Sequence, residues 1–432
     1  MKLFLKIYLA AFGIISAASA QSLKNGPMLT YLAMRETAIW VQTDKAAEVQ
    51  MKYWKLTNPQ EKFASNTVLT KPESAYTATL VTSLLDLDTE YGYEIIINQK
   101  VVKPFPSQKF KTKKLWKWRT DAPDFSFLTG SCNYVNDSAF DRPGKAYGSN
   151  HQIFKNMARE SSNFMLWLGD NIYLREPDWD SKSGIQYRYT HTRALPEMQD
   201  LLRSTHHYAI WDDHDYGSND AIGSFHLKDI SLQAFKDFFP SNNYGIENGQ
   251  GITSYFDWSD CAFFLMDDRW FRTTKGKDGV IFGQEQLSWL IESLKNSAAR
   301  FKFIAVGSQV LNSAKAKENH SNYDNEHAKL LQQLDENNIK GVIFLTGDRH
   351  NSEISKFTTS DGDVFYDLTV SPLTSGTTPN PNEPNTLRVE GSYIGGTHNY
   401  ALIQVLGNKA ERRVEVIYKD KDGVELYRYV IR

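Results

Sequence analysis

Four short polar clusters in the sequence carry side chains that can bind metal ions. Each follows an apolar run typical of a buried strand, and they are Thr129–Asn133, Gly169–Tyr173, Asp212–Asp215 and Thr346–His350. Together they offer carboxylates and imidazoles, which bind divalent metals, and a phenol and a thiol, which suit ferric iron. In open α/β sheets, sites are assembled beyond the carboxyl ends of the strands, where loops converge. We therefore expect the four clusters to form one site.

The cluster Asp212-Asp213-His214-Asp215 is the strongest of these signals. Three carboxylates around one histidine repel one another unless cations neutralise them. A surface network of ion pairs is the alternative, but the cluster directly follows the apolar run Ala209-Ile210-Trp211. The pattern favours a metal site.

Asp170 and Asp348, the carboxylates of two other clusters, give weaker signals. Asp170 can be a helix N-cap with Tyr173 as a packing residue, or Tyr173 can bring a phenolate to a metal that Asp170 also touches. Asp348 and His350 stand two positions apart, so an extended loop can turn both side chains to one side. Arg349 then either points away or reaches a substrate phosphate.

The sequence has only two cysteines, Cys132 and Cys261. They could form a disulfide, as in exported proteins. However, Cys261 lies in the apolar run from 260 to 266, which favours a buried strand with the thiol as a small hydrophobe. Cys132 is either a buried thiol or a thiolate ligand, since a nearby cation lowers the pKa of a thiol.

This mixture of ligands suits the hydrolysis of phosphate esters. Two metal ions a few ångströms apart can activate a water molecule and neutralise the oxygens of an in-line displacement. We expect a metal-dependent phosphoesterase whose partner is a small phosphate ester.

The elements that must position these residues fall into two domains. Short β-type runs between residues 27 and 110 predict a fibronectin- or immunoglobulin-like sandwich, with Tyr91 as its tyrosine corner. After a basic linker at 111–120, strands alternate with helices, as in an α/β domain. We predict a β-sandwich over 21–118 and a catalytic domain over 119–432.

Residues 1–20 have the layout of a secretory signal peptide, with a short apolar run before Ala18-Ser19-Ala20. A membrane anchor is the alternative, but it needs about 20 apolar residues. We expect export to the periplasm or the medium, no transmembrane segment in the mature chain, and a monomer. The net charge of −2 gives no general attraction to nucleic acid.

The polar clusters and the amino-terminal region also resemble a known family. The clusters resemble the PhoD-like alkaline phosphatase D family, a branch of the calcineurin-like metallophosphoesterases, and the amino-terminal β-sandwich resembles the small domain that precedes the catalytic domain in that family. The matching motifs are Gly130-Ser131-Cys132, Gly169-Asp170-Asn171-Ile172-Tyr173, the run from Trp211 to Asp220, Met266-Asp267-Asp268-Arg269 and Gly347-Asp348-Arg349-His350.

The resemblance implies a four-layer αββα domain holding a ferric ion and calcium ions. It implies that Cys132, Tyr173 and His350 hold the iron and that Asp170 bridges to the second metal. Calcium would be held by Asp213 and Asp348. The aspartate and histidine of the broader superfamily's first motif are absent at Ser131-Cys132-Asn133, which disfavours an ordinary dimanganese or dizinc site.

Further residues are expected to act on the substrate. His214 would protonate or stabilise the leaving oxygen, with Asp213 and Asp215 favouring its imidazolium form. Weaker candidates for substrate contacts are Asn219, Arg188, Arg193 and Arg269. Each arginine can instead be the structural partner of a carboxylate.

Two other functions fit some features of the sequence. A phosphodiesterase or phospholipase D-like enzyme would use the same metals. A calcium-binding adhesion protein would fit the sandwich and the acidic loops, but it would not need Cys132 or Tyr173.

Overall fold

Short strands dominate the first quarter of the chain, and strands alternate with helices in the rest. The computed structural model describes residues 22–106, 108–246, 249–379 and 383–432, so the predicted signal peptide at 1–20 lies outside the described residues. In chain order the strands are β1 (Leu23–Leu32), β2 (Thr37–Thr43), β3 (Glu48–Lys55), β4 (Phe63–Ala64), β5 (Val68–Leu69), β6 (Thr77–Val81), β7 (Glu90–Ile97), β8 (Lys100–Val101), β9 (Lys109–Lys111), β10 (Phe125–Gly130), β11 (Phe164–Leu168), β12 (His206–Ile210), β13 (Ser254–Trp258), β14 (Cys261–Leu265), β15 (Phe301–Val306), β16 (Val342–Thr346), β17 (Glu353–Thr358), β18 (Val364–Thr369), β19 (Asn399–Leu406), β20 (Arg413–Asp420) and β21 (Glu425–Ile431). The α-helices are α1 (Ile153–Arg159), α2 (Lys182–Arg193), α3 (Gln199–Ser204), α4 (Asp213–Tyr216), α5 (Lys228–Phe238), α6 (Gly283–Asn296) and α7 (Asp324–Glu336).

Two sheets lie face to face at the centre of the molecule. One has the strand order β21-β20-β19-β10-β11-β12-β1-β2-β6, and the other has the order β13-β14-β15-β16-β18-β17. Their facing surfaces meet through aromatic rings, with the Phe127 ring 5.4 Å from the rings of both Phe263 and Phe303. Edge-to-face contacts of this kind add to the stabilisation from burial.

Helices cover the outer faces of both sheets. On the first sheet, Phe154 of α1 and Phe239, which follows α5, contact Trp167 of β11 at ring distances of 6.1 and 6.4 Å. On the second, Leu290 of α6 and Leu330 of α7 are buried in one cluster with strand residues. The predicted four-layer αββα architecture is confirmed.

The amino-terminal sandwich shares a sheet with the catalytic domain. Strand β1 pairs in parallel with β12, so β1, β2 and β6 extend the nine-stranded sheet. Along β2, Trp40 lies in the central core, whereas Ile39 and Val41 lie in the sandwich core. Because alternate side chains of a strand point to opposite faces, this one strand is buried on both sides.

The second sheet of the sandwich follows the order β4-β3-β7-β8, with β5 on β3 and β9 on β7. The hydroxyl of Tyr91 accepts a hydrogen bond from the backbone N–H of Asp86 at 2.9 Å, which is the arrangement predicted for the tyrosine corner. Among the described residues, we find no helix with the length and hydrophobicity needed to cross a membrane.

Candidate metal centre

The candidate ligands lie at the carboxyl ends of parallel strands. Strands β10, β11 and β12 are parallel neighbours in one sheet, and β15 and β16 are parallel neighbours in the other. Cys132 and Asp170 follow β10 and β11 by two residues, and Asp348 follows β16 by two. Asp213 begins α4, three residues after the end of β12. The four polar clusters of the sequence therefore meet in space.

Four of these residues adopt the left-handed backbone conformation, which non-glycine residues rarely use. The φ angles are 61° at Cys132, 51° at Asp170, 63° at Asp348 and 57° at His350. Each such residue costs about 1–3 kcal/mol and persists only where its surroundings hold it. Gly169, at φ 88°, leaves no room for a side chain, because a Cβ there would come within 2.6 Å of the Asp212 Cβ.

Cys132, Asp170, Tyr173 and His350 form the first half of the site. The hydroxyl of Tyr173 lies 2.9 Å from Asp170 Oδ2 and 3.2 Å from His350 Nε2. The Cys132 Sγ lies 3.5 Å from the same Asp170 oxygen. Cys132 and Cys261 are both free thiols, so the structure contains no bridge between them.

Carboxylates form the second half of the site. Ligand atoms of Asp170, Asp213 and His214 lie within 4.8 Å of one another, and so do those of Asp212, Asp213 and Glu318. Asp348 Oδ2 is buried without a hydrogen-bond partner among the described residues. Asp170 belongs to both halves of the site.

Burial and mutual repulsion disfavour the ionised forms of Asp170, Asp348 and Cys132. Burial and the charges of Asp213 and Cys132 raise the pKa of Asp170 well above its usual range. Burial, Glu318 and Asp213 raise the pKa of Asp348 to about 7. Burial raises the pKa of Cys132 to about 12, and Asp348 adds to it. Either protons or metal cations must neutralise these groups.

The pKa of Asp213 is shifted in the opposite direction, below its usual range. Burial acts to raise the pKa of this carboxyl, but His214 and Arg269 outweigh burial and hold it below its usual range. Asp213 is therefore available as an anionic ligand at neutral pH.

His214 lies beside both halves of the site. Its ring lies on that of Tyr173 with the centroids 4.2 Å apart, and its backbone N–H donates to Asp170 Oδ1 at 3.3 Å. Its Nδ1 is buried without a partner among the described residues. The expectation of an imidazolium is wrong, since burial lowers the pKa of His214 despite the charge of Asp213.

The two other aspartates of the cluster at 212–215 have structural contacts that explain this correction. Asp215 accepts hydrogen bonds from the backbone N–H groups of Asn171, Ile172 and Asp212 and so ties the loops together. Asp212 pairs with Arg269. Only Asp213 stands close to the imidazole, with its Oδ2 4.0 Å from Nε2.

The three arginines predicted as phosphate clamps all make contacts within the protein. Arg188 is fully buried and pairs with Asp178 at 2.8 Å and Asp137 at 3.3 Å. Arg193 stacks on the Phe239 ring at 4.1 Å and donates to a backbone carbonyl. Arg269 pairs with Asp212 and Glu318. None of the three lines the cavity at the site, and Arg188 Nη2 and Arg193 Nε lack hydrogen-bond partners among the described residues, so phosphate clamping by these arginines stays a prediction.

A cavity of about 570 Å³ opens onto the site. Asp170, Asp213, His214, Asp348 and His350 line it, and so does the predicted Asn219. The sequence reasoning missed several other lining residues, namely Tyr147, Arg272, Lys275, Lys317 and Glu318.

Of the missed residues, Tyr147 contacts a predicted ligand and Arg272 contacts Glu318. The hydroxyl of Tyr147 lies 3.3 Å from His350 Nδ1, on the side of the ring opposite Tyr173. Arg272 pairs with Glu318 at 3.1 Å. Arg272 follows the strand β14 and the run Asp267-Asp268-Arg269, which could have drawn attention to it, whereas Glu318 lies in a long loop, 12 residues past the end of β15.

The donors at this site fit metal ions. Strained ligand positions, an unpartnered oxygen on Asp348 and several close carboxylates are features that bound cations would explain. A set of sulfur, phenol and imidazole donors beside a set of carboxylates also fits two metals of different character.

Comparisons with known proteins agree with this geometry. The PhoD-like phosphatase family matches residues 127–402, and a domain of unknown function, DUF7800, matches residues 20–115. None of the curated proteins matches the chain in sequence.

Two solved structures share the fold. The structure of PhoD is 16% identical, with a TM-score of 0.75, and the alignment covers 94% of this chain and 88% of that one. A purple acid phosphatase, PPD1, from yellow lupin (Lupinus luteus) is 11% identical, with a TM-score of 0.68, over 94% of this chain and 73% of that one. The family match covers more than half of the sequence and includes every predicted metal ligand, and the chain therefore belongs to the PhoD-like phosphatases, enzymes that hydrolyse phosphoric esters.

Proposed function

We propose that this phosphatase is a metal-dependent phosphomonoesterase of the alkaline phosphatase type that contains ferric iron and calcium. The observation that carries the proposal is the meeting of a thiol, a phenol and an imidazole around Asp170, whose carboxylate also faces a second acidic group. Iron would be held by Cys132, Tyr173 and His350, as the family resemblance implies. Calcium would be held by Asp213 and Asp348, to which we add Glu318.

Metal ions held by these residues would supply Lewis-acid charge neutralisation and acidify the attacking water. The chain itself would orient the ester. Arg272, Lys275 and Lys317 line the same cavity as the ligands and would attract the negative charge of the substrate. Asn219, which also lines it, would donate a hydrogen bond to a phosphate oxygen.

His214 would act on the leaving group in its neutral form. Because its pKa is lowered by burial, the imidazole is uncharged at neutral and alkaline pH. A neutral imidazole still has one N–H, which can donate a hydrogen bond to the departing oxygen as charge develops there. This role does not require the imidazolium, and it suits an enzyme that works at alkaline pH.

The basic residues that line the cavity, Arg272, Lys275 and Lys317, favour monoesters over diesters, because a monoester dianion carries one more negative charge than a diester. The phosphodiesterase or phospholipase D-like alternative would use the same metals. The calcium-binding adhesion alternative would leave Cys132 and Tyr173 without a role.

A substrate comparison tests this proposal. We expect the protein to hydrolyse 4-nitrophenyl phosphate with a higher kcat/KM than bis(4-nitrophenyl) phosphate. The double variant Lys275→Gln/Lys317→Gln should raise KM for the monoester more than for the diester, since it removes only charge. Lys329→Gln, on the surface of α7, is the matched control. A preference for the diester in the unaltered protein would support the phosphodiesterase alternative.

We also propose that the protein is exported after cleavage following Ala20 and acts as a monomer. The layout of residues 1–20 supports export. Amino-terminal sequencing of the mature protein should begin at Gln21, and its mass in solution should be that of one chain.

A further inference from the structure

The hydroxyl of Ser371 lies between two of the proposed iron ligands. Ser371 follows strand β18 and is fully buried. Its Oγ is 3.2 Å from the Sγ of Cys132 and accepts a hydrogen bond of 3.0 Å from the backbone N–H of His350. One side chain therefore contacts the sulfur of one ligand and the main chain of another.

The hydrogen-bonding capacity of a serine decides the direction of these contacts. A hydroxyl has one proton to donate and can accept through its oxygen lone pairs. Ser371 Oγ accepts from His350, so its proton is free to be donated to the sulfur. Bound to a metal as a thiolate, Cys132 would have no proton of its own and could only accept.

A second serine beside the same sulfur provides a natural comparison. Ser131 Oγ lies 3.5 Å from Cys132 Sγ, but it lies only 2.9 Å from the backbone carbonyl of Val370. The carbonyl oxygen, which is the nearer and stronger acceptor, takes the single proton of Ser131. Its contact with the sulfur is then packing and not donation.

We propose that Ser371 is a positioning residue that tunes Cys132 as a metal ligand and holds the His350 backbone in place. This inference rests on the proposed iron site. A hydrogen bond to a coordinating sulfur withdraws electron density from it, which leaves more positive charge on the metal and raises the reduction potential. The same hydroxyl supports the left-handed conformation of His350, at φ 57°.

The test compares Ser371→Ala with its matched control, Ser131→Ala. Both remove one oxygen from a buried serine next to Cys132. Iron content under competition with a chelator, the visible charge-transfer absorption and the reduction potential of the purified protein are measured. In Ser371→Ala we expect iron to be retained about 10- to 100-fold more weakly, the absorption to shift and the potential to fall.

Ser131→Ala should retain the absorption and the potential of the unaltered protein. Ser371→Thr keeps the hydroxyl and should stay closer to the unaltered protein than Ser371→Ala, so it also tests the proposal if the alanine variant does not fold. Equal effects of Ser131→Ala and Ser371→Ala, or no effect of Ser371→Ala on iron and spectrum, would overturn the inference about Ser371. The proposed iron site would still stand. Absence of iron from the unaltered protein would remove the proposed iron site as well.

Discussion

Among single residues, His214 has the position best suited to act on the substrate. It lines the cavity, its side chain is 20% exposed, and its ring rests on Tyr173. It also lies close enough to Asp170 and Asp213 to be a metal ligand. A variant that separates metal content from turnover distinguishes these two roles.

We expect His214→Ala to keep its metals and to lose turnover by about a hundredfold or more. The loss should be smaller for esters with good leaving groups such as nitrophenol, because these need less stabilisation of the departing oxygen. Elemental analysis and kcat for a nitrophenyl and an alkyl phosphate check this. His226→Ala, on a ring that lies against Phe225, is the control. Loss of metal from His214→Ala would make His214 a ligand.

The site was predictable from the sequence where polar residues follow apolar strands. Cys132, Asp170, Asp213 and Asp348 all follow such strands. Glu318 lies in a loop, 12 residues past the end of β15, so only the tertiary fold brings it to Asp213. The direction of the His214 pKa shift was also beyond the sequence, because it depends on burial and on Asp215 turning to backbone amides.

At the scale of elements, two histidines join strand β12 to its neighbours. His206 Nδ1 lies 2.8 Å from the carbonyl of Thr30 in β1. His207 Nδ1 accepts from the Trp167 indole in β11 at 2.9 Å, and its Nε2 lies 3.2 Å from the carbonyl of Leu201 in α3. Burial lowers their pKa values, to about 4 for His206 and about 3 for His207.

These shifts make the protein less stable in acid. Between pH 6.5 and about 4 the unfolded chain binds protons at both positions and the folded chain does not, so stability falls as the pH falls. The loss is roughly 1.4 kcal/mol per pH unit for each histidine. Urea unfolding at pH 7.5, 5.5 and 4.5 measures it.

The variant His206→Asn keeps a hydrogen-bond donor for Thr30 but cannot be protonated in this range. We expect it to lose stability less steeply with falling pH than the unaltered protein. An identical slope in the two proteins would contradict the assignment of this pH dependence to His206.

Strand positions were predictable at this scale because apolar runs of five or six residues are distinctive. Strand Phe164–Leu168 is an unbroken apolar run, and Phe301–Val306 is apolar except for Lys302. The pairing of β1 with β12 was not predictable, since the sequence marks a strand but not its partner.

At the scale of the whole molecule, the nine-stranded sheet joins the amino-terminal sandwich to the catalytic domain, so we expect the two to unfold together. Trp40 of β2 contacts Phe238 of α5 at a ring distance of 5.6 Å, and its indole donates to the carbonyl of Asp237. The basic segment at 111–120 connects the two domains along the chain. The domains are also in contact, because β1, β2 and β6 belong to the nine-stranded sheet.

We expect urea to unfold the protein in a single transition, with circular dichroism and phosphatase activity lost together. Trp40→Ala should lower the free energy of unfolding by about 3–5 kcal/mol and move both signals equally. Phe63→Ala, at a partly exposed ring on β4, is the control and should have a much smaller effect. A sandwich that unfolds first and leaves the activity intact would argue against a single cooperative structure.

The central claim is that Cys132, Asp170, Tyr173, Asp213, Asp348 and His350 hold the metals that hydrolyse phosphate esters. Elemental analysis and visible spectroscopy of the purified protein, with turnover of 4-nitrophenyl phosphate measured on the same sample, test it most directly. We expect iron and calcium, a charge-transfer absorption that disappears in Tyr173→Phe, and activity that a chelator abolishes and added metal restores. A colourless, metal-free protein with full activity would contradict the account.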